Sequence, residues 1–210
     1  MFRLKILLLL HEDIRVMRRF FVDIHTHHPA PDRLSPRMAG IHPWDADKAL
    51  SLPNFEDCDI FGETGLDLSC NVDIERQKEL FRWHLEQAAR LEKPVVLHVV
   101  RSFEHVIKTL ADYDIKGVVF HGFIGSKQQA EEAIRRGYYL SFGARSLRSS
   151  RSREAIATTP LERLFAETDD NPSCNIEHIY DAIAEIKGIS RESLAEQIEK
   201  NYKTLITPNE

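Results

Sequence analysis

Short apolar runs punctuate the chain at residues 20–24, 38–41, 59–62, 94–97, 117–120, 138–142 and 163–166. Each is a continuous stretch rich in Val, Ile, Leu and Phe, without polar alternation. Such runs read as strands buried on both faces, the condition of a parallel sheet. Six of the seven end abruptly on an imidazole or a carboxylate. The first leads into His25-Thr26-His27, the second into His42, the third into Glu63, the fourth into His98, the fifth into His121 and the last into Glu167-Thr168-Asp169.

The intervening segments carry helical signals. In residues 73–92, Ile74, Phe81, Leu85 and Ala88 share one face, Asp73 is placed to cap the N-terminus, and Pro94 closes the stretch. Residues 102–111 and 126–136 each open on a serine, and Gly137 stands where a helix-terminating glycine belongs. Two further helices are expected near residues 176–187 and 190–206, divided by Gly188. Strand–helix alternation predicts an α/β fold. No glycine-rich phosphate loop follows the first run, which removes support for a dinucleotide-binding sheet. A TIM-like (β/α) barrel explains the polar pattern better, because its strand C-termini converge on one rim.

On that rim, imidazoles and carboxylates distant in sequence would meet, as divalent metal sites require. His25 and His27, two apart on a strand, point to one face and form a two-nitrogen clamp. Glu63 has two oxygens with which to bridge two ions, Asp169 completes the first site, and His98 and His121 serve the second. One histidine at a strand end is usually a surface or packing residue. Six coincident strand ends are what favours a metal site here. His11, His28, His84, His105 and His178 lack this placement and read as surface or packing residues.

Composition narrows the function classes. The 28 Lys plus Arg against 33 Asp plus Glu give a formal net charge of −5, which argues against a passive basic coat for nucleic acid but leaves local action on it open. Three cysteines, Cys58, Cys70 and Cys174, form no CxxC pair and suggest a reducing, cytoplasmic setting. No apolar run approaches a membrane span. The apolar stretch 6–10 is too short for a signal peptide and is followed by Glu12, Asp13 and Arg15. Residues 1–19 therefore read as an extension, with Met17 an alternative start, and 20–210 as a single domain. No obligate protein partner is evident.

Taken together, Asp23-Ile24-His25-Thr26-His27, Gly40-Ile41-His42-Pro43, Gly62-Glu63-Thr64-Gly65-Leu66-Asp67, Pro94 to His98, Phe120-His121-Gly122, Tyr139 to Phe142, Glu167-Thr168-Asp169 and the tail Asn201-Tyr202-Lys203-Thr204-Leu205 resemble the TatD-like metal-dependent hydrolases, in order, over residues 20–206. The resemblance implies a site for two divalent ions, one held by His25, His27, Glu63 and Asp169, the other by Glu63, His98 and His121. It also implies hydrolysis, with DNA phosphodiesters the best-known substrate class of the family. Two departures stand out. The family usually has one more βα unit between its HxH and GxHP strands, whereas the Pro-rich stretch between His27 and Met38 is too short for a helix and a further strand. A barrel of seven strands, short or distorted on that side, is the expectation, with 4–10 a candidate replacement strand. The family's arginine two positions after the fourth-run histidine is here Arg101, three on.

The mechanism expected is attack by a water activated between two metals, with Glu63 and Asp169 as the catalytic carboxylates and Asp169 the general base or orienter. The mixed donor set suits Zn, Mn, Ni or Fe, and Mg more weakly. For the substrate, DNA or a small phosphoester, Arg145, Arg148, Arg151 and Arg153 in a Ser-rich loop after the sixth run supply phosphate-binding guanidinium groups. His42 and Asp67, also at strand ends, are candidates to touch the substrate or to orient metal ligands; Arg101 is a further candidate substrate contact and Trp44 a candidate stacking residue. Hydrolysis of a small ester, lactone or amide, and metal binding without catalysis, remain the alternatives.

Overall fold

The computed structural model describes residues 21–48 and 53–207. The proposed extension at 1–19, the alternative start at Met17 and the candidate strand at 4–10 lie outside them. Within them the strands are β1 (Phe21–Val22), β2 (Arg33–Leu34), β3 (Met38–Ala39), β4 (Ile60–Asp67), β5 (Val95–Val100), β6 (Val118–Phe120), β7 (Tyr139–Phe142) and β8 (Leu164–Ala166). The helices are α1 (Ile74–Arg90), α2 (Phe103–Leu110), α3 (Lys127–Arg135), α4 (Ala144–Arg148), α5 (Ser150–Thr158), α6 (Ile176–Lys187) and α7 (Arg191–Ile206).

All strand pairings are parallel, and β3 to β8 lie side by side in chain order. β1 pairs with β2. It is also stitched to the end of β8, through Ile24 N to Ala166 O at 3.1 Å, Asp169 N to His25 O at 3.0 Å and His27 N to Asp169 O at 3.1 Å. The arrangement is TIM-barrel-like, with helices packed against the strands and consecutive strand residues buried.

One expectation is corrected in detail. The Pro-rich stretch after His27 holds no helix, but it does hold a further strand, β2. Its Arg33 and Leu34 face Phe21 and Val22, and five residues on, Met38 and Ala39 of the same extended segment face Ile60 and Phe61. Barrel strands tilt, so neighbours on opposite sides of one stave meet it at different heights. A single short segment thereby serves both β1 and β4, while β1–β2 and β3–β8 form two sheets that meet beside β8 at the bridge between Thr26 and Asp169.

Local chemistry explains the elements. Asp73 accepts from the backbone N–H of Glu75 and Arg76 at the start of α1. Ser126 and Gln129 form a reciprocal capping box on α3. Gly188 ends α6 in the left-handed conformation that glycine adopts most cheaply. Helix α1 buries Phe81, Leu85 and Ala88 completely, each large side chain contributing on the order of 2 kcal/mol. The tail helices lock the barrel by polar contacts: the buried Tyr180 hydroxyl donates to Val22 O at 2.9 Å, and the Asn201 amide donates to Leu161 O at 2.7 Å and Leu164 O at 3.0 Å.

Two more expectations shift. The arginine-bearing stretch is not a loop: Ser149 caps α5, and Arg145, Arg148, Arg151 and Arg153 ride exposed on α4 and α5. Short apolar runs also underestimated two strands. β4 continues through Glu63 to Asp67 and β5 through His98 to Val100, so Glu63 and His98 sit within strands rather than after them.

Candidate metal centre

The register of β4 shifts between Phe61 and Thr64. Such an irregularity re-aims the side chains beside it, and Glu63 falls inside it. Glycine permits the tight approach of the neighbouring strand. A Cβ on Gly65, whose φ is +138°, would sit 2.1 Å from the His98 carbonyl oxygen. The strands carrying Glu63 and His98 therefore lie as near as backbone allows.

Glu63 is the hub. Its Oε1 lies 3.1 Å from His25 Nε2 and 3.0 Å from His27 Nε2. Its Oε2 lies 2.8 Å from His121 Nε2 and 3.4 Å from His98 Nδ1. Asp169 Oδ1 closes the first group at 3.4 Å from His25 Nε2 and 3.9 Å from His27 Nε2. His121 Nε2 and His98 Nδ1 are 3.3 Å apart. All six side chains assigned to metal from the sequence thus converge, split between the two oxygens of one carboxylate. His42 joins them, with Nε2 3.7 Å from Glu63 Oε2.

The donor set fits cations. Nδ1 of His25 is buried without a hydrogen-bond partner, and Glu167 Oε2 is likewise orphaned; such groups are costly to bury unless an ion or water meets them. The ligand atoms of His25, His27, Glu63 and Asp169 lie within 4.8 Å of one another, as do those of His42, Glu63 and His98 and those of His121, Glu167 and Asp169.

Electrostatics follow from this crowding. Burial opposes the charged ring of His25, but Asp169 and Glu63 outweigh it and push its pKa up to about 9. His121 is raised in the same way by Glu167 and Glu63 against its burial. Against burial again, the imidazoles of His121, His25 and His98 hold Glu63 well below the usual carboxylate range. Asp169 is lowered to about 2, chiefly by His25. His42, buried and beside His98, falls to about 4. Without cations the site compensates its carboxylates with protonated rings.

A second layer of carboxylates decides which nitrogen each ring presents. Asp67 Oδ2 lies 3.2 Å from His98 Nε2, which leaves Nδ1 facing Glu63. Ser69 donates to Asp67 Oδ1 through its backbone N–H at 2.8 Å and its hydroxyl at 2.6 Å. Glu167 Oε1, 3.4 Å from His121 Nδ1, leaves Nε2 of that ring facing Glu63. Carboxylate–imidazole pairs of this kind fix ring orientation and raise ligand basicity. Of the two roles open to Asp67, its burial and its contact with His98 fit the orienting one.

Sequence reasoning gave no role to Glu167 or to Asp23. Asp23 is fully buried, accepts from Thr168 N at 2.9 Å and Thr168 Oγ1 at 2.6 Å, and pairs with Arg33 at 3.2 Å. It ties the bend after β1, where His25 and His27 lie instead of on the strand the sequence led one to expect, to the loop bearing Asp169. A carboxylate inside an apolar run was the available signal. Of the predicted substrate contacts, Arg101 lines a pocket of about 430 Å³ that opens beside His121, together with His105, Phe123 and Ile124. The arginines of α4 and α5 make no close contact with the cluster. His28 pairs with Asp170 at the surface, His178 is exposed, and His84 is buried in packing.

Fold and cluster together define a barrel of the metal-dependent hydrolase type. The chain belongs to the TatD related DNase family, whose model matches residues 25–207. It is 34% identical over 146 residues to a putative deoxyribonuclease TATDN1 homolog of Vairimorpha ceranae, covering 68% of this chain and 54% of that protein. It is 41% identical over 113 residues to YjjV, an uncharacterized metal-dependent hydrolase of Escherichia coli, covering 51% of this chain and 43% of YjjV. The YjjV crystal structure superposes with a TM-score of 0.64 at 31% identity, over 70% of this chain and 63% of that one. A Salmonella typhimurium 3′-5′ ssDNA/RNA exonuclease TatD is 27% identical over 197 residues, covering 80% and 76%. The chain spans about half the length of the first of these relatives.

Proposed function

We propose that this chain is a two-metal phosphodiesterase that trims DNA from an end, in the manner named for its Salmonella relative. The observation that carries the reading is the division of Glu63, one oxygen toward His25 and His27 and the other toward His98 and His121. His25, His27, Glu63 and Asp169 would hold one divalent ion, and Glu63, His98 and His121 the other. Such ions supply Lewis acidity toward a phosphoryl oxygen and acidify water at neutral pH. Imidazole–carboxylate ligation favours Zn, Mn, Ni or Fe over Mg.

The chain's own residues supply position and proton handling. Asp169 is ionised at neutral pH and about one-third exposed, so with Oδ1 turned to the first ion its Oδ2 is left to orient the attacking water and accept its proton. Asp67 and Glu167 hold His98 and His121 in the ligating tautomer. Arg101, at the mouth of the pocket beside His121, binds a phosphate oxygen of the substrate. A cytoplasmic enzyme with no obligate protein partner fits this reading, and among the described residues no helix is long and apolar enough to cross a membrane.

The test is hydrolysis of 3′- and 5′-labelled single-stranded DNA with each metal in turn, against Glu63→Ala. Wild type should shorten the strand from one end only when metal is present. The variant should lose at least a hundredfold in rate and bind metal weakly by calorimetry. Equal behaviour of the two proteins across the metal series would defeat the proposal.

A further inference from the structure

Trp44 is 54% exposed, one of four large apolar side chains so placed among the described residues, yet both its indole and its backbone N–H are hydrogen-bonded. Its indole N–H donates to Asp67 Oδ2 at 2.7 Å. Its backbone N–H donates to His42 Nδ1 at 3.2 Å, within a short 3₁₀ turn opened by Pro43. Its ring stands edge-on to His42 at 4.6 Å and His98 at 5.8 Å between centroids. The result is a bicyclic π-surface, open to solvent and rigid, at the margin of the cluster. Leu68, 41% exposed, follows Asp67 directly.

A prop for Asp67 does not account for this side chain. Holding Asp67 Oδ2, the oxygen that faces His98 and that Ser69 does not reach, takes only the indole N–H and leaves the exposed π-face without a task. A half-exposed indole is worth holding rigid where a flat group is to lie against it, since stacking on a preset surface avoids the entropy of ordering it.

The geometry points to Trp44 as the platform on which the nucleobase next to the scissile phosphate stacks, so that the site distinguishes a nucleotide diester from one lacking a base. This rests on the phosphodiesterase reading and adds a specificity residue to it. Because the same N–H reaches Asp67, and Asp67 reaches His98, two variants separate the roles. Trp44→Phe keeps a stacking ring and loses the N–H; Trp44→Leu loses both.

The probes are two oligothymidylates of equal length, one ending in thymidine and the other in an abasic tetrahydrofuran residue. Wild type should show a KM roughly tenfold or more lower for the thymidine end, the size of one stacked base. Trp44→Phe should keep most of that preference, with any loss in kcat, and Trp44→Leu should abolish it. A preference that survives in Trp44→Leu, or that vanishes equally in both variants, overturns the inference. Binding is read independently of turnover in Trp83→Phe, which leaves Trp44 as the only one of the chain's two tryptophans. Its fluorescence should be quenched saturably by the thymidine oligomer and not by the abasic one. Equal quenching by both, or none, overturns the stacking role. Quenching without cleavage under any metal would instead sink the phosphodiesterase reading and leave the platform standing.

Discussion

His84 makes a sharp test of how burial sets stability here. It lies on α1, fully buried. Its Nδ1 donates to Leu80 O at 2.9 Å and its Nε2 accepts the Ile41 N–H at 3.1 Å. Both nitrogens are used only by the neutral ring; a second proton would face the Ile41 donor. Burial accordingly lowers its pKa from 6.5 to about 4, against the small opposing pull of the Leu80 carbonyl. The unfolded chain thus binds this proton more readily than the native one. The stability tied to neutral His84 is complete above about pH 6.5 and is lost as the pH falls toward 4. The full difference is about 3 kcal/mol, of which about 2 kcal/mol is gone by pH 5. The measurement is urea unfolding of wild type and His84→Gln, with chelator present, at pH 7.5, 6 and 5. Titration of the cluster histidines is common to both proteins and cancels in the difference. The wild-type advantage should shrink by about 2 kcal/mol between pH 7.5 and 5. An advantage constant across that range would show that His84 is not a buried neutral ring, and the reasoning would fail.

Two further outcomes follow from the site. Asp67→Asn should weaken metal binding by roughly ten- to a hundredfold in calorimetry while leaving the melting temperature of the metal-free protein almost unchanged, because an amide no longer enforces the His98 tautomer; unaltered affinity would remove Asp67 from its supporting role. Gly65→Ala should destabilise the chain by about 3 kcal/mol or more, since its Cβ meets the His98 carbonyl and its φ is positive; a thermal midpoint within a degree of wild type would show that the two strands do not approach so closely.

Much of this molecule is written locally in its sequence. Strands were legible because a stave buried on both faces must be apolar throughout, and helices because Asp73, Ser126 and Ser190 satisfy their first backbone donors within three residues. That six scattered side chains meet was legible because parallel strands in a barrel point their C-termini to one rim, which gave them a common destination. Other features have no local signal. Which nitrogen His98 presents depends on Asp67, and which His121 presents depends on Glu167, 31 and 46 residues away along the chain. The shared stave of β2 and β3 depends on strands from two distant parts of the chain, β1 and β4, flanking one segment, which no window of sequence contains. The Ser–Arg stretch reads as a loop by composition and becomes helix once Ser152, Ala155 and Ile156 find an apolar surface to bury against. Fold class and the chemical types that meet at the rim are local properties of the chain, because burial and capping act over a few residues. Only the tertiary structure decided how those groups face one another, because ring orientation is set by partners that folding alone brings within 3 to 4 Å.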